Sequence, residues 1–349
     1  MGGKMEMPAM GRQAQGALLL ALAGSIWGLN GLFVRVLSDA GLSPLTIVFV
    51  RYLCALAMLA PAISAASSRA KRDILALQPQ QVACCVGLGL ISNALGGVLS
   101  AYAIKRVGVS VTTVLLYTAP VFGCLLSRWL YAERLTKEKL AAIACNFGGV
   151  VLVVSAGGAL AANAAVDGLL AGIAYGLTYA LMAVISRPIS GTCHPLAIVY
   201  YGSLTVVAAL ALPAFGSGEL SLVLQPIPAI AALLYGGVST VAANLLYQRG
   251  MACGVETSKV AVITSVEVAV SAAMGMAVFG EALTAAKMAG ICGVLGSIAL
   301  MNLHADPSEV HGVHVLLTAE QLRSAYGVEA DLGAAVNDVR ERRDRAMRH

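Results

Sequence analysis

Ten long apolar runs decide what this chain can fold into. They lie at approximately 16–37, 44–65, 81–103, 110–131, 137–157, 167–186, 194–214, 227–247, 256–278 and 285–303, joined by short connections. Each holds about 19–23 residues, which as a helix rising about 1.5 Å per residue crosses a hydrocarbon core about 30 Å thick. A β-barrel would need alternating segments of about 10 residues, roughly half this length. Composition agrees, with 58% hydrophobic and 12% charged residues, against about 25% charged in a soluble domain. One soluble core of 349 residues could not bury that much apolar side chain. The chain reads as an all-α integral membrane protein with ten transmembrane helices, and the lipid bilayer is its first partner.

The net charge of +5 is spread between the apolar runs, so it sets orientation and does not mark nucleic acid as a partner. With the N-terminus inside, one side collects Lys4, Arg12, Arg69, Lys71, Arg72, Arg128, Arg134, Lys137, Lys139, Arg187 and Arg249. The other collects Lys105, Arg106 and Lys287, leaving Arg35, Arg51 and Lys259 at membrane depth. This bias places both termini in the cytoplasm and the chain in the cell membrane. The first run is too long for a signal peptide, carries Trp27 and Asn30, and has nine similar runs behind it. The eight cysteines form no C-x-x-C and sit mostly in apolar runs, as buried small hydrophobes that need no disulfide.

An internal repeat organises the chain. The string E-R-L-T-K-E-K-L-A-A-I-A-C-N-F-G from Glu133 is matched by E-A-L-T-A-A-K-M-A-G-I-C-G-V-L-G from Glu281, at a constant offset of 148. The identities are Glu133/Glu281, Leu135/Leu283, Thr136/Thr284, Lys139/Lys287, Ala141/Ala289, Ile143/Ile291 and Gly148/Gly296, with Ser110/Ser258 upstream. The first helices agree at an offset of 152, through Gly24/Gly176 and Arg35/Arg187, with Trp27 opposite Tyr179. Each half holds five helices, and an odd number turns the second copy over in the membrane. Two inverted five-helix repeats can exchange roles around a central site, which is a transporter device. The expected organisation is a cytoplasmic N-terminus (1–15), a first module (16–157), a second module (158–303) and a cytoplasmic tail (304–349).

At these residues the chain resembles the drug/metabolite transporter superfamily, in its ten-helix EamA-type branch. The resemblance rests on Y-T-A-P-V-F-G-C-L-L-S-R-W-L-Y-A-E-R-L-T from Tyr117 and T-S-V-E-V-A-V-S-A-A-M-G-M-A-V-F-G-E-A-L-T from Thr264. Trp27-Gly28 in helix 1 and Arg51 in helix 2 fit its opening pattern. It covers roughly 16–303 and departs at Val268, where the family has a proline after the glutamate, and at the 304–349 extension. Without that proline, the resemblance gives little ground for a kink in helix 9. The resemblance implies export of small metabolites, often amino acids or drug-like amines. It implies no cofactor.

Glu267 is the sharpest candidate, because an ionised carboxylate mid-bilayer costs about 2.5–3.5 kcal/mol and must face a cavity, find a partner or be protonated. It suits substrate contact or proton coupling, and equally a hydrogen bond between helices. Arg51 can bind a substrate carboxylate, neutralise an acid such as Glu267, or snorkel to the interface. Arg35 reads as snorkelling, and Glu256 and Lys259 as a local i, i+3 pair. Asn93 and Asn244 are interhelical hydrogen-bond bridges or cavity-lining groups, and Asn30, Asn146 and Gln248 are polar in the same setting. Trp27, Tyr117, Tyr175, Tyr179 and Tyr102 can stack on a substrate or anchor helices. Tyr175 and Tyr179 share a helix face. The glycines 168, 172 and 176, and 24 and 28, have helix-packing spacing. Glu133 and Glu281 end their helices as turn caps. His304, Glu309, His311 and His314 are too loosely spaced for a metal site.

No H-E-x-x-H, G-x-S-x-G or intramembrane Asp pair is present, so nothing points to an enzyme. No Walker-type loop is present either, which leaves secondary transport of a small-molecule substrate by alternating access, with protons as one option for coupling. An importer or exchanger of anionic metabolites using Arg51 stays open, as does a channel or sensor on the same scaffold. The sequence does not give the oligomeric state.

Overall fold

The computed structural model describes residues 9–303, except 66, 120, 124, 127–136, 157–165, 187, 188, 190–192, 254–262, 281 and 283. Among the described residues there is no strand. Ten apolar helices follow one another: α1 (Ala14–Asp39), α2 (Pro44–Ser64), α3 (Pro79–Val107), α4 (Val109–Gly123), α5 (Lys137–Ala156), α6 (Val166–Ser186), α7 (Pro195–Gly216), α8 (Pro226–Gly250), α9 (Val266–Phe279) and α10 (Ala285–Leu303). Of these, α1, α2, α3, α7 and α8 are by themselves long and apolar enough to cross a bilayer. Large apolar side chains such as Phe147, Leu212 and Phe215 remain on the outside, as a lipid-facing surface requires. Glu133, Glu281, Glu256, Lys259, Pro120 and the 304–349 tail lie outside the described residues.

The helix starts follow local chemistry. α2, α3, α7 and α8 each begin with a proline, Pro44, Pro79, Pro195 and Pro226. Its fixed φ suits the first turn and its missing N–H is no loss there. Ser43 caps α2 by accepting from the Thr46 amide at 3.4 Å, and His194 Nδ1 accepts from the Leu196 amide at 3.2 Å. The basic stretch after α2 forms a short helix, Ser68–Leu75, which the apolar pattern does not reveal.

Three departures from straight helices matter more. α3 and α8 each contain an eight-residue π-helical stretch, Leu88–Leu95 and Tyr235–Ala242. These fall at the same register of the two modules, since Gln78-Pro79 and Gln225-Pro226 open the helices at an offset of 147. α4 breaks at Tyr117–Thr118 and the chain before α9 breaks at Ser265, an offset of 148 between Tyr117 and Ser265. Here the amides of Tyr117 and Val268 bond three residues back instead of four, to Val114 and Ser265 at 3.1 and 2.9 Å. The break at Ser265 forms without a proline at Val268. α1 also breaks, at Gly28–Leu29, where its sequence suggests one continuous helix.

Packing obeys the same two-fold relation. α1 packs on α8 and α9; correspondingly, α6 packs on α3 and α4. α2 packs on α8 as α7 packs on α3, while the mates α2 and α7, and α4 and α9, pack on each other. Glycines permit the closest approaches. A Cβ at Gly89 of α3 would lie 3.0 Å from the Gly202 carbonyl and 2.6 Å from Thr205 Cβ of α7. One at Gly236 of α8 would lie 2.7 Å from both the Arg51 carbonyl and Cys54 Cβ of α2. Arg51 and Cys54 are the register mates of Gly202 and Thr205, at an offset of 151. At the α5–α10 contact Cys145 Sγ donates to the carbonyl of Gly293, its own mate, at 3.4 Å.

Candidate functional site

The site is built where helices lose their regular hydrogen bonding. Glu267 lies in the first turn after the Ser265 break and is 7% exposed. The break in α4 supplies its partner: the Tyr117 hydroxyl donates to Glu267 Oε2 at 3.3 Å and lies equally far from the Thr264 carbonyl. Tyr117 is itself 8% exposed. A carboxylate from one module is thus held by a phenol from the other.

Breaking a helix leaves carbonyls without donors, and a buried one must be satisfied elsewhere. Asn146 of α5 does this for α4. Its Nδ2 donates to the Tyr117 carbonyl and to Ser297 Oγ of α10, each at 3.0 Å, and the residue is 1% exposed. The polar network therefore runs from α10 through α5 to the turn that carries Tyr117.

Further aromatic rings lie in the same region. Tyr175 and Tyr179 of α6 pack with Tyr117 and Val268 in one cluster, and both lie within electrostatic reach of Glu267. Tyr179 is also near Tyr247 of α8, whose ring stands 5.4 Å from that of Trp27, tilted by 42°. The arrangement can hold a cation, through the carboxylate and through ring faces.

Arg51 goes elsewhere than to Glu267. Its Nε donates to Thr240 Oγ1 at 2.6 Å and its Nη1 to the Tyr235 hydroxyl at 3.0 Å. The guanidinium lies over Tyr235 at 4.3 Å and near Tyr52 at 5.2 Å from the ring centroids. Tyr235 stacks in turn on Phe33 of α1 at 5.3 Å. Thr240 and Tyr235 both belong to the π-helical stretch of α8, and π-bulges are frequent at functional sites. Among the described residues Arg51 forms no ion pair, so the pair with an acid weighed from the sequence is not made there. Arg35 does pair, with Asp39 one turn on at 3.5 Å.

The two asparagines occupy related places. Asn244 donates to the Thr240 carbonyl at 2.7 Å, supporting the residue that holds Arg51. Asn93 sits in the π-helical stretch of α3 and packs against Gly202 of α7. That is the mate of the Thr240–Arg51 contact, with glycine in place of arginine. Reading the sequence left out Thr240, Tyr235, Tyr52 and Tyr247 as site residues. Their signal was present in the doubled Gln-Pro start of α3 and α8, which puts Asn93 and Thr240 in one register.

Two further contacts join the modules away from this site. Arg106 of α3 donates to both carboxylate oxygens of Asp167 of α6, with Nη2 at 2.9 Å and Nε at 3.0 and 3.2 Å, and the Tyr102 hydroxyl donates there too. Glu219, between α7 and α8, accepts from the amide and hydroxyl of Ser43 at 2.8 Å each. With ten spans, both contacts fall on one membrane face.

Comparison with known proteins decides the family. The sequence profile of the EamA-like transporter family matches twice, over residues 14–155 and 166–303. The chain belongs to the EamA-like transporter family. It is thus a membrane transporter of the drug/metabolite transporter superfamily and not an enzyme. Two matched stretches in tandem agree with the two-module architecture of this EamA-like transporter. No curated protein matches the chain. Among solved structures, one described only as the crystal structure of a protein superimposes with a TM-score of 0.58 at 19% identity, covering 84% of this chain and 98% of that one. That likeness speaks for the fold alone.

Proposed function

We propose that this EamA-like transporter is a secondary active exporter of small metabolites, amino acids or drug-like amines, with Glu267 as the group that binds the cationic end and the coupling proton. The observation that carries this reading is the placement of Glu267 at a helix break of one module, held by Tyr117 from the equivalent break of the other. Discontinuous helices at a repeat interface are where transporters put substrate sites. Any rocking of one module against the other changes the Tyr117–Glu267 contact, and so couples occupancy of the carboxylate to conformation. Both termini are placed in the cytoplasm of a cell-membrane protein by the Lys/Arg bias, and the two modules are taken as 16–157 and 158–303. In that orientation the Arg106–Asp167 and Ser43–Glu219 contacts close the outer face.

The test is uptake into proteoliposomes of amines, amino acids and organic acids, with and without an imposed pH gradient. Saturable, counterflow-competent transport that loses its pH dependence in Glu267→Gln supports the reading. A variant that keeps both rate and pH dependence overturns it.

One observation favours a second reading. Arg51 has no carboxylate partner among the described residues, which suits import or exchange of an anionic metabolite. Loss of organic-acid but not amine transport in Arg51→Ala would select it.

A further inference from the structure

Three of the eight cysteines meet at one place in the fold. Cys85, near the start of α3, is 0% exposed and forms a buried cluster with Leu88 and with Ile189, just past the end of α6. Cys84 and Cys193 are half-buried and pack against that cluster. Cys193 lies in the connection from α6 to α7, where its amide donates to the Ile189 carbonyl at 3.1 Å. α3 falls in the first matched stretch and this connection in the second, so the cluster joins the two modules. With ten spans, it lies at the membrane face opposite the Arg106–Asp167 contact.

That other face holds the same junction built from register mates, and the mates carry no thiol. Cys84, Cys85 and Leu88 correspond to Ala231, Ala232 and Tyr235 of α8 at an offset of 147. Cys193 corresponds to Leu42 at an offset of 151, and Ile189 to Leu37 at 152. All five mates belong to one buried cluster, with Leu37 and Leu42 at 0% and Ala232 at 1% exposure. The junction therefore packs with leucine and alanine alone. A thiol fills such a place as a small hydrophobe, but a pair of them adds a reactivity that leucine and alanine lack.

The partner of Cys193 is Cys85 and not Cys84. Adjacent residues of a helix point about 100° apart, and Cys85 is the one turned fully into the cluster. Cys193 also bears on the Cys85 thiol more strongly than Cys84 does, although Cys84 is its neighbour in the chain.

We propose that Cys85 and Cys193 are a redox modification site, closed by peroxide into a disulfide that ties one module to the other. Both are thiols in the structure. The half-buried Cys193 meets the oxidant: its sulfur attacks hydrogen peroxide, the O–O bond breaks, and a sulfenic acid and water form. The Cys85 sulfur then attacks the Cys193 sulfur. The S–S bond forms, the S–O bond breaks, and the hydroxide leaves with the Cys85 proton as a second water. Two thiols are oxidised and one peroxide is reduced to two waters; a dithiol reductant reverses the change by exchange.

The test exposes the full-length protein in lipid nanodiscs to graded hydrogen peroxide. It is then alkylated, digested without reduction and read by mass spectrometry. A peptide pair joining Cys85 to Cys193 should appear and should vanish on addition of dithiothreitol. The variants Cys85→Ala and Cys193→Leu copy the residues of the other face, and each should lose the pair; Cys84→Ala should keep it. The bond closes a loop of more than a hundred residues, which constrains the unfolded chain. Oxidised wild type should therefore melt higher than reduced, by on the order of 5 °C, and neither Cys85→Ala nor Cys193→Leu should show this shift. If one of these two variants melts lower before oxidation, the other carries the test. Peroxide that leaves Cys193 untouched, or takes it to a sulfinic acid without a link, overturns the proposal. A link through Cys84 does the same, as does a Cys85–Cys193 link that fails to raise the melting temperature.

Discussion

The Tyr117 hydroxyl donates to Glu267 Oε2 at 3.3 Å, across the boundary between the two modules. Both residues sit at helix breaks of matching register, so the contact is made by the parts of the two helices that lack regular backbone bonding. In the proposed alternating-access cycle, a motion of one module against the other would act on this contact.

Tyr117→Phe therefore removes a donor from the carboxylate without changing the ring that packs beside it. A hydrogen bond to a charged group contributes about 1.5–3 kcal/mol, so KM should rise on the order of tenfold or more if substrate is bound with Glu267 ionised. Steady-state uptake kinetics of wild type and variant check this. An unchanged KM with unchanged pH dependence would show that Glu267 does not need Tyr117.

The glycines of α1 make a second, structural prediction. A Cβ at Gly24 would lie 2.6 Å from the Thr264 carbonyl, and one at Gly28 would lie 2.7 Å from Val270 Cβ and 3.0 Å from the Glu267 carbonyl. Backbone cannot yield as a flexible side chain can. Gly24→Ala and Gly28→Ala should each destabilise by about 1–3 kcal/mol and should displace the Glu267 turn. Gly148→Ala, where a Cβ meets nothing within 4 Å, should leave the melting temperature in place. Thermal unfolding of the three variants, paired with transport assays, separates these outcomes.

The inter-module contact at Glu219 carries a pH dependence whose sign is fixed. Burial alone would raise this carboxyl, but hydrogen bonds from Thr46 and from the Ser43 amide and hydroxyl, with Lys105 nearby, outweigh it and hold the group below its ordinary 4.5. A carboxyl depressed by folding stabilises the structure above its unfolded value and loses that contribution as pH falls through its folded value. Wild type should melt higher than Glu219→Gln at neutral pH, and the gap should close as pH drops below 4.5. A gap that persists in acid would assign the difference to packing.

Much of this was legible in the residues, for reasons that are physical. Ten apolar runs and a doubled Glu-x-Leu-Thr register give the architecture, because hydropathy and period report which surfaces meet lipid and which meet protein. Glu267, Tyr117, Tyr175 and Tyr179 could be singled out since polar and aromatic groups at depth need partners. Who partners whom was not legible. The partners of Arg51 depend on a π-helical stretch in α8, and a π-bulge has no apolar period of its own to betray it. The break at Ser265 escaped for a related cause: it is stabilised by neighbours, not by a proline that could be seen in the string.

Asn146 shows how such a neighbour works, and it gives the last prediction. Its Nδ2 donates both to the Tyr117 carbonyl that the α4 break leaves open and to Ser297 Oγ of α10, while its Oδ1 has no partner among the described residues. Asn146→Leu keeps the side-chain volume roughly the same but leaves a buried carbonyl unsatisfied, at a cost of about 1–3 kcal/mol. The strain falls on the turn that aims Tyr117 at Glu267, so transport should drop along with stability. Asn146→Asp, protonated in place, can still donate one hydrogen bond and should fall between wild type and leucine. If the leucine variant transports normally while melting lower, Asn146 braces α5 against α10 only, and the geometry at Tyr117 is set by α4 itself.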